Sequence, residues 1–164
     1  FFTRLLSPYI KTVHKIMESW TLSKNIAIIS LLSALSAILQ SAGGLLPGIG
    51  LLISPFSTLP IFLATTISLK YGFPAYLLTN ILLILIEPSE LLIFAFTTGL
   101  LGLGIGLGLR ILNHSFLIIA INGIILSLGI CFPLYGLGFP ILGPALSTTP
   151  EIKSLITIFI FATF

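Results

Sequence analysis

Long apolar runs with no charge inside them constrain this chain more than any other feature. Segments 81–86 and 116–121, for example, contain only apolar side chains. Hydrophobic residues make up 57% of the 164 residues and charged residues only 7%, whereas a soluble domain has about 25% charged residues. A chain with so little polar surface must have lipid as its solvent. The sequence therefore predicts an integral membrane protein.

The continuity of these runs favours helices over a β-barrel, whose strands would alternate apolar and polar residues. A membrane-spanning helix needs roughly 20 apolar residues. We therefore predict an all-α membrane protein with a six-helix transmembrane domain in residues 23–164. In residues 1–22, apolar and aromatic side chains recur at helical spacing among charges, which predicts a short amphipathic helix at the membrane interface.

The expected transmembrane helices are 24–41, 51–69, 73–86, 88–112, 115–135 and a sixth from residue 150 onwards. The Gly-rich segment 42–50 is expected to be a flexible loop, and residues 70–72 a tight turn. Because Pro55 and Pro60 each lack a backbone donor, the second helix is expected to be kinked or to begin near Pro60.

Basic residues are distributed unequally between the two sides of this topology. One side carries Arg4, Lys11, Lys15, Lys24, Lys70 and Arg110. The other carries Lys153 together with Glu87, Glu90 and Glu151. Because basic residues concentrate on the cytoplasmic side, we expect a multi-pass protein of the cell membrane with both termini cytoplasmic. Positive charges at helix ends set topology, so they do not indicate a nucleic-acid partner.

Small residues recur at helical spacing in two of the predicted helices. Gly102, Gly104, Gly106 and Gly108 form overlapping Gly-x-x-x-Gly pairs, which allow close helix packing in membranes. In the first helix, Ser30 and Ala34, then Ser33 and Ala37, form a second strip. This strip serves either internal packing or docking to another subunit, and the periodicity does not separate the two.

Polar residues within the spans are costly and therefore candidates for a binding site. Asn80 falls in the middle of the third helix and Asn122 in the middle of the fifth. We expect them to line one outward-facing cavity together with residues nearer its mouth. The candidate substrate-binding residues are Gln40, Asn80, Glu87, Glu90, Asn122 and Tyr135. The alternative is that the amides form structural interhelical hydrogen bonds and that the glutamates are solvated.

The sequence contains no recognisable catalytic set, so we do not expect an enzyme. His14 and His114 lack carboxylates at metal-ligand spacing, which argues against a metal site. No ATP-binding loop occurs, and no cofactor is expected in this chain. Any active transport would therefore need energy from another subunit or from an ion gradient.

A small six-helix chain with a strip of small residues on its first helix and a Gly-rich loop after it resembles the S components of energy-coupling factor (ECF) transporters. The stretch 53–60, the Lys70-Tyr71-Gly72 sequence and the Gly-rich fourth helix are most similar to the YybS-like branch. The resemblance implies capture of a vitamin or other small molecule. It also implies partners: a coupling transmembrane subunit, docked on the strip in the first helix, and two ATPase subunits that use ATP.

Two other functions stay open. A structural membrane subunit similar to the cell-shape protein MreD would use the small-residue strips for assembly and have no transported ligand. An intramembrane enzyme acting on lipid is the third hypothesis, and it is disfavoured because no acid/base pairs are present. The substrate signatures of the riboflavin, thiamine and biotin members of the ECF family do not occur.

Overall fold

The structure, a computed structural model, describes residues 12, 15, 19–46, 48–112 and 114–136. This part of the chain is helical and contains no strand. Four of its helices are long and apolar enough to cross a membrane: Leu22–Leu45, Leu69–Ile86, Pro88–Ile111 and Phe116–Tyr135. The all-α class is thus confirmed for the described residues, and the four apolar helices are consistent with a membrane protein. Six spans are not shown: the predicted sixth helix and most of the predicted interfacial helix lie outside the described residues.

The first helix, α1 (Leu22–Leu45), is longer than its predicted range because it continues through two glycines. A methyl group at Gly43 would lie 2.8 Å from Glu90 Oε1, and one at Gly44 would lie 3.0 Å from Glu87 Cγ. The glycines let these two glutamates approach the helix backbone. The expected loop is correspondingly shorter, and Gly48, at φ 80°, turns the chain towards the next helix.

The predicted second helix is broken into three pieces: α2 (Ile49–Ile53), a 3₁₀ segment (Ser54–Ser57) and α3 (Thr58–Ile67). Pro55 lies in the 3₁₀ segment, and the Thr58 hydroxyl donates to the Pro55 carbonyl. A proline has no N–H for the helical ladder, which explains a break here. The result agrees with the interruption predicted from the prolines.

Helix α4 (Leu69–Ile86) includes the residues predicted as a turn at 70–72. The preceding residue, Ser68, caps it by accepting a hydrogen bond from the Lys70 N–H at 3.3 Å. The turn prediction was wrong because Gly72 is required for packing between two helices and not for a turn. A methyl group at that position would overlap Thr65 of α3, so the glycine lets two helices approach closely.

The remaining helices follow their predicted ranges but contain wider turns. Helix α5 (Pro88–Ile93) continues through a π-helical segment (Phe94–Thr98) into α6 (Gly99–Ile111). Helix α7 (Ser115–Cys131) ends in a second π-helical segment (Phe132–Gly136). Pro88 occupies the first turn of α5, where a missing N–H has no cost.

The glycines of α6 contact two different helices, one on each side of α6. A methyl group at Gly102 would lie 2.8 Å from the Thr58 carbonyl oxygen of α3, and one at Gly106 would lie 2.5 Å from Thr65 Cβ. Gly104 and Gly108 face Asn122 and Ile118 of α7 instead. The four glycines predicted to mediate helix packing therefore lie at helix contacts.

Hydroxyl groups join α1 to α4 in the interior. The Ser33 hydroxyl donates to the Ile29 carbonyl of its own helix at 2.7 Å and also lies 3.1 Å from the Ala75 carbonyl of α4. The Thr79 hydroxyl likewise donates to the Ala75 carbonyl at 2.8 Å and lies 3.3 Å from the Ser33 carbonyl of α1. Ser33 and Ala37 are fully buried, and Ala37 belongs to the apolar core. This half of the predicted docking strip packs inside the chain, whereas Ser30 is exposed and Ala34 half-buried.

Candidate functional site

The polar interior of α1 is the feature from which the candidate site is built. Ser33, Ser36, Ala37, Gln40 and Ser41 are buried, while Leu31, Leu35 and Ile38 on the other side are exposed. The spacing of the buried residues, three and four apart, places them on one helix face. Lipid suits the apolar face, so the polar face points into the bundle.

Gln40 is the centre of a buried polar cluster, the Gln40 cluster, formed by Gln40, Ser57, Glu90 and Thr98. Its amide nitrogen donates to Glu90 Oε2 at 2.7 Å. Its amide oxygen accepts from the Ser57 hydroxyl at 2.7 Å and from the Thr98 hydroxyl at 2.8 Å. Gln40 and Ser57 are 0% exposed and Glu90 is 7% exposed. Three parts of the fold therefore meet at one side chain: α1, the 3₁₀ segment, and α5 with its π-helical continuation.

Irregular backbone positions three of the four members of the Gln40 cluster. Ser57 is the last residue of the 3₁₀ segment, and the Ser36 hydroxyl holds it by donating to its carbonyl at 2.8 Å. Thr98 ends the first π-helical segment, and Glu90 lies in the first turn of α5, just after the break at Glu87. Segments of 3₁₀ and π helix inside longer helices often mark functional sites.

Glu87 lies beside the cluster without belonging to it. It is half-buried, and its Oε1 accepts from the Ser89 hydroxyl at 2.5 Å. Its side chain lies against Gly44, one residue after the glycine that contacts Glu90. We call the end of the bundle with Glu87 and Glu90 the acidic end. The opposite, basic end carries Lys24, Lys70 and Arg110.

The two asparagines lie apart from this hydrogen-bond network. Asn80 donates to the Tyr76 carbonyl at 2.8 Å, and Asn122 donates to the Ile118 carbonyl at 2.8 Å, each within its own helix. The Asn122 amide oxygen is buried against Gly104 and has no hydrogen-bond partner among the described residues. Asn122 thus contributes to the α6–α7 contact.

An apolar groove of about 280 Å³ runs between α6 and α7 beside Asn122. Its walls are Gly104, Leu107, Gly108, Ile111, Leu112, Ile121, Asn122 and Ile125. It reaches Ile111 and Leu112, at the basic end, whereas the Gln40 cluster lies near the acidic end. The groove is therefore separate from the Gln40 cluster.

Tyr135 lies in the second π-helical segment and packs on the small apolar cluster of Ile130 and Leu134. Of the six candidate residues, the structure brings Gln40 and Glu90 into direct contact and places Glu87 beside them. Sequence reasoning missed Ser57 and Thr98. The signal that could have found this region is the run of small and polar residues on one face of α1, which ends with Gln40 and Ser41.

The described residues contain no group of three His, Cys, Asp or Glu side chains able to hold a metal ion. Chemically, the Gln40 cluster offers a carboxylate, an amide and two hydroxyls in an otherwise apolar bundle. Such a set can recognise a polar group of a small molecule. These features define the described part of the chain as an all-helical bundle with a buried polar cluster, whose long apolar helices are consistent with a membrane protein. The chain matches no family model, no curated protein and no solved structure.

Proposed function

We propose that this chain is the substrate-capturing membrane subunit of an ECF-type importer for a vitamin or other small molecule. One observation carries the proposal: Glu90 is buried within a candidate membrane span and is held by Gln40. An ionisable residue inside the membrane is expensive and is usually retained for a substrate or ion pathway. A purely structural contact between helices would be made more cheaply by apolar side chains.

The position of the Gln40 cluster suits capture from outside the cell. It lies near the acidic end of the bundle, and Lys24, Lys70 and Arg110 mark the opposite end. Because basic residues favour the cytoplasmic side, the acidic end would face outward. A substrate would then reach the cluster from the outer leaflet, next to the short connection between α1 and α2.

The proposed partners are a coupling transmembrane subunit and two ATPase subunits. The sequence contains no ATP-binding loop, so the energy for import would come from those subunits. The proposed docking surface is the outward part of the strip on α1, Ser30 and Ala34. Small side chains there would let a helix of the coupling subunit approach closely.

Co-expression with an ECF module and affinity purification in mild detergent tests the proposal. We expect the chain to purify with the coupling and ATPase subunits. Ala34→Trp should abolish that association because a large side chain blocks close helix approach. Leu35→Trp is the matched control, since Leu35 is 46% exposed and, as the next residue, lies about 100° around the helix from Ala34. Repeated recovery of the chain alone would contradict the importer and favour a scaffold.

A further inference from the structure

The groove between α6 and α7, of about 280 Å³, has almost no polar group to offer a ligand. Apart from Asn122, its walls consist of glycine, leucine and isoleucine. Asn122 is 5% exposed, its nitrogen donates to the Ile118 carbonyl, and its oxygen is buried against Gly104. A pocket for a polar substrate would present several convergent polar groups. The groove therefore suits an apolar occupant.

The groove is also too narrow for a polypeptide helix. A methyl group at Gly104 would overlap Asn122 Oδ1, and one at Gly108 would lie 2.9 Å from Ile118 Cγ2. Helices α6 and α7 thus touch along the floor of the groove, and a helix about 10 Å across cannot enter between them. An acyl chain is a single row of methylene groups, so it can lie there and make dispersion contacts with both walls.

The charge at the basic end indicates which kind of amphiphile fits. The groove reaches Ile111 and Leu112, which directly follow the exposed Arg110. Both acidic side chains of the described residues belong to the acidic end, and Glu90 is separated from Arg110 by most of the span Pro88–Ile111, about 30 Å. The end of α6 and the start of α7 contribute partial charges of opposite sign. Arg110 therefore makes this end of the groove positive.

We propose that the groove binds one acyl chain of an anionic phospholipid whose headgroup is held by Arg110. A guanidinium group can bind two phosphate oxygens at once, and basic pockets between membrane helices bind anionic headgroups. Because basic residues favour the cytoplasmic side, the lipid belongs to the cytoplasmic leaflet. The site is separate from the Gln40 cluster, and this inference does not depend on the proposed import of a substrate.

The test follows thermal unfolding of the purified full chain in dodecyl maltoside by circular dichroism. The probes are dioleoyl phosphatidylglycerol, dioleoyl phosphatidylcholine, which has the same acyl chains, and glycerol phosphate, which is anionic but has no acyl chain. A ligand that binds only the folded state raises Tm. We expect phosphatidylglycerol to raise Tm by about 4 °C at ten times its dissociation constant. Phosphatidylcholine should raise it less, and glycerol phosphate should not raise it.

Three outcomes of this measurement would overturn the inference. Equal shifts with the two phospholipids would show that lipid solvates the chain without selecting a headgroup. A shift with glycerol phosphate would show that the anion binds without the groove. No shift with any probe would show that something else covers the groove, such as a partner helix or another segment of this chain.

Charge variants test whether Arg110 holds the headgroup. Arg110→Gln should lower the apparent affinity for phosphatidylglycerol about fivefold and leave that for phosphatidylcholine unchanged. Lys24→Gln is the matched control, since Lys24 is an exposed cation at the same end but outside the groove. Arg110→Lys keeps the charge and should keep most of the preference, which separates lost binding from misfolding. Equal losses for Arg110→Gln and Lys24→Gln would contradict the assignment.

Bulky variants test whether the acyl chain lies in the groove. Ile121→Trp places a large side chain in one wall and should remove most of the phosphatidylglycerol shift. Ile119→Trp is the matched control, because Ile119 is 56% exposed and lies about 200° around α7 from Ile121. A shift that survives Ile121→Trp, or one that both variants remove equally, would place the lipid elsewhere and overturn the inference.

Discussion

The Gln40 side chain makes three side-chain hydrogen bonds, and its removal should therefore be costly. Gln40→Leu would leave the Ser57 and Thr98 hydroxyls and Glu90 without their partner. Each buried group left unsatisfied costs about 1–3 kcal/mol. We expect a strong fall in Tm for Gln40→Leu, measured in detergent by intrinsic fluorescence.

Ser57→Ala is the matched control for that measurement. It removes one donor, but Gln40 Oε1 keeps its bond from Thr98. A single hydrogen bond between membrane helices contributes only about 0.6 kcal/mol on average. Equal losses of Tm for Ser57→Ala and Gln40→Leu would show that Gln40 is not the centre of the cluster.

The contact between Gly104 and Asn122 can be tested with single and double substitutions. A methyl group at Gly104 would overlap Asn122 Oδ1, and Asn122 is held in place by its bond to the Ile118 carbonyl. We expect Gly104→Ala to lower Tm. Adding Asn122→Ala should restore part of the loss, because it removes the obstructing atom. A double-mutant cycle on Tm measures this coupling, and strict additivity would contradict the contact.

At the scale of elements, α6 packs against two neighbouring helices through its glycines. Gly102 meets a backbone carbonyl of α3 and Gly106 meets Thr65, so an added side chain forces two helices apart. We expect Gly102→Ala and Gly106→Ala each to reduce the yield of folded protein, judged by a monodisperse peak in size-exclusion chromatography.

Gly44→Ala provides the comparison for those two variants. Its new methyl group would meet the flexible side chain of Glu87 at 3.0 Å, which can move aside. Alanine also favours a helix over glycine by about 1 kcal/mol. A normal yield is therefore expected for Gly44→Ala. Losses as large as those of Gly102→Ala would mean that the α3–α6 contact is not what the glycines protect.

The sequence predicted helix existence well but not helix ends. Apolar runs and charges located the four long helices, and Pro55 indicated the break in the second one. The errors fall at Gly43, Gly44 and Gly72, which were interpreted as loop or turn residues. Glycine disfavours helices locally, yet here each glycine makes room for a residue from another helix. Contacts between helices that are distant in sequence create this requirement for glycine, and the local sequence does not show it.

The sequence predicted only part of the candidate site, because contacts between distant segments complete this site as well. Gln40 and Glu90 were singled out because both map to the outer end of the predicted bundle, Glu90 in the turn around Pro88. Ser57 and Thr98 were missed because hydroxyls commonly bond to the carbonyl of their own helix, as Thr65 does. Only the 3₁₀ and π-helical segments redirect Ser57 and Thr98 towards Gln40, and these irregularities had no signal beyond Pro55.

For the whole molecule, the distribution of charge predicts an orientation that can be measured directly. Lys70 and His114 belong to the basic end, and Leu46 follows α1 at the acidic end. In a Cys131→Ser background, which removes the single cysteine, we expect an impermeant thiol reagent added to intact cells to label Leu46→Cys. Lys70→Cys and His114→Cys should be labelled only after permeabilisation. Labelling of Lys70→Cys from outside would reverse the orientation.

The two-sided glycine arrangement of α6 has a consequence for movement. Gly102 and Gly106 pack against α3, and Gly104 and Gly108 pack against α7. Both contacts require that α6 present no side chain there. If α6 rolled about its long axis, leucines would replace glycines at both contacts together. Rotation in either direction is therefore blocked by collision. We therefore expect α3, α6 and α7 to keep their arrangement relative to one another.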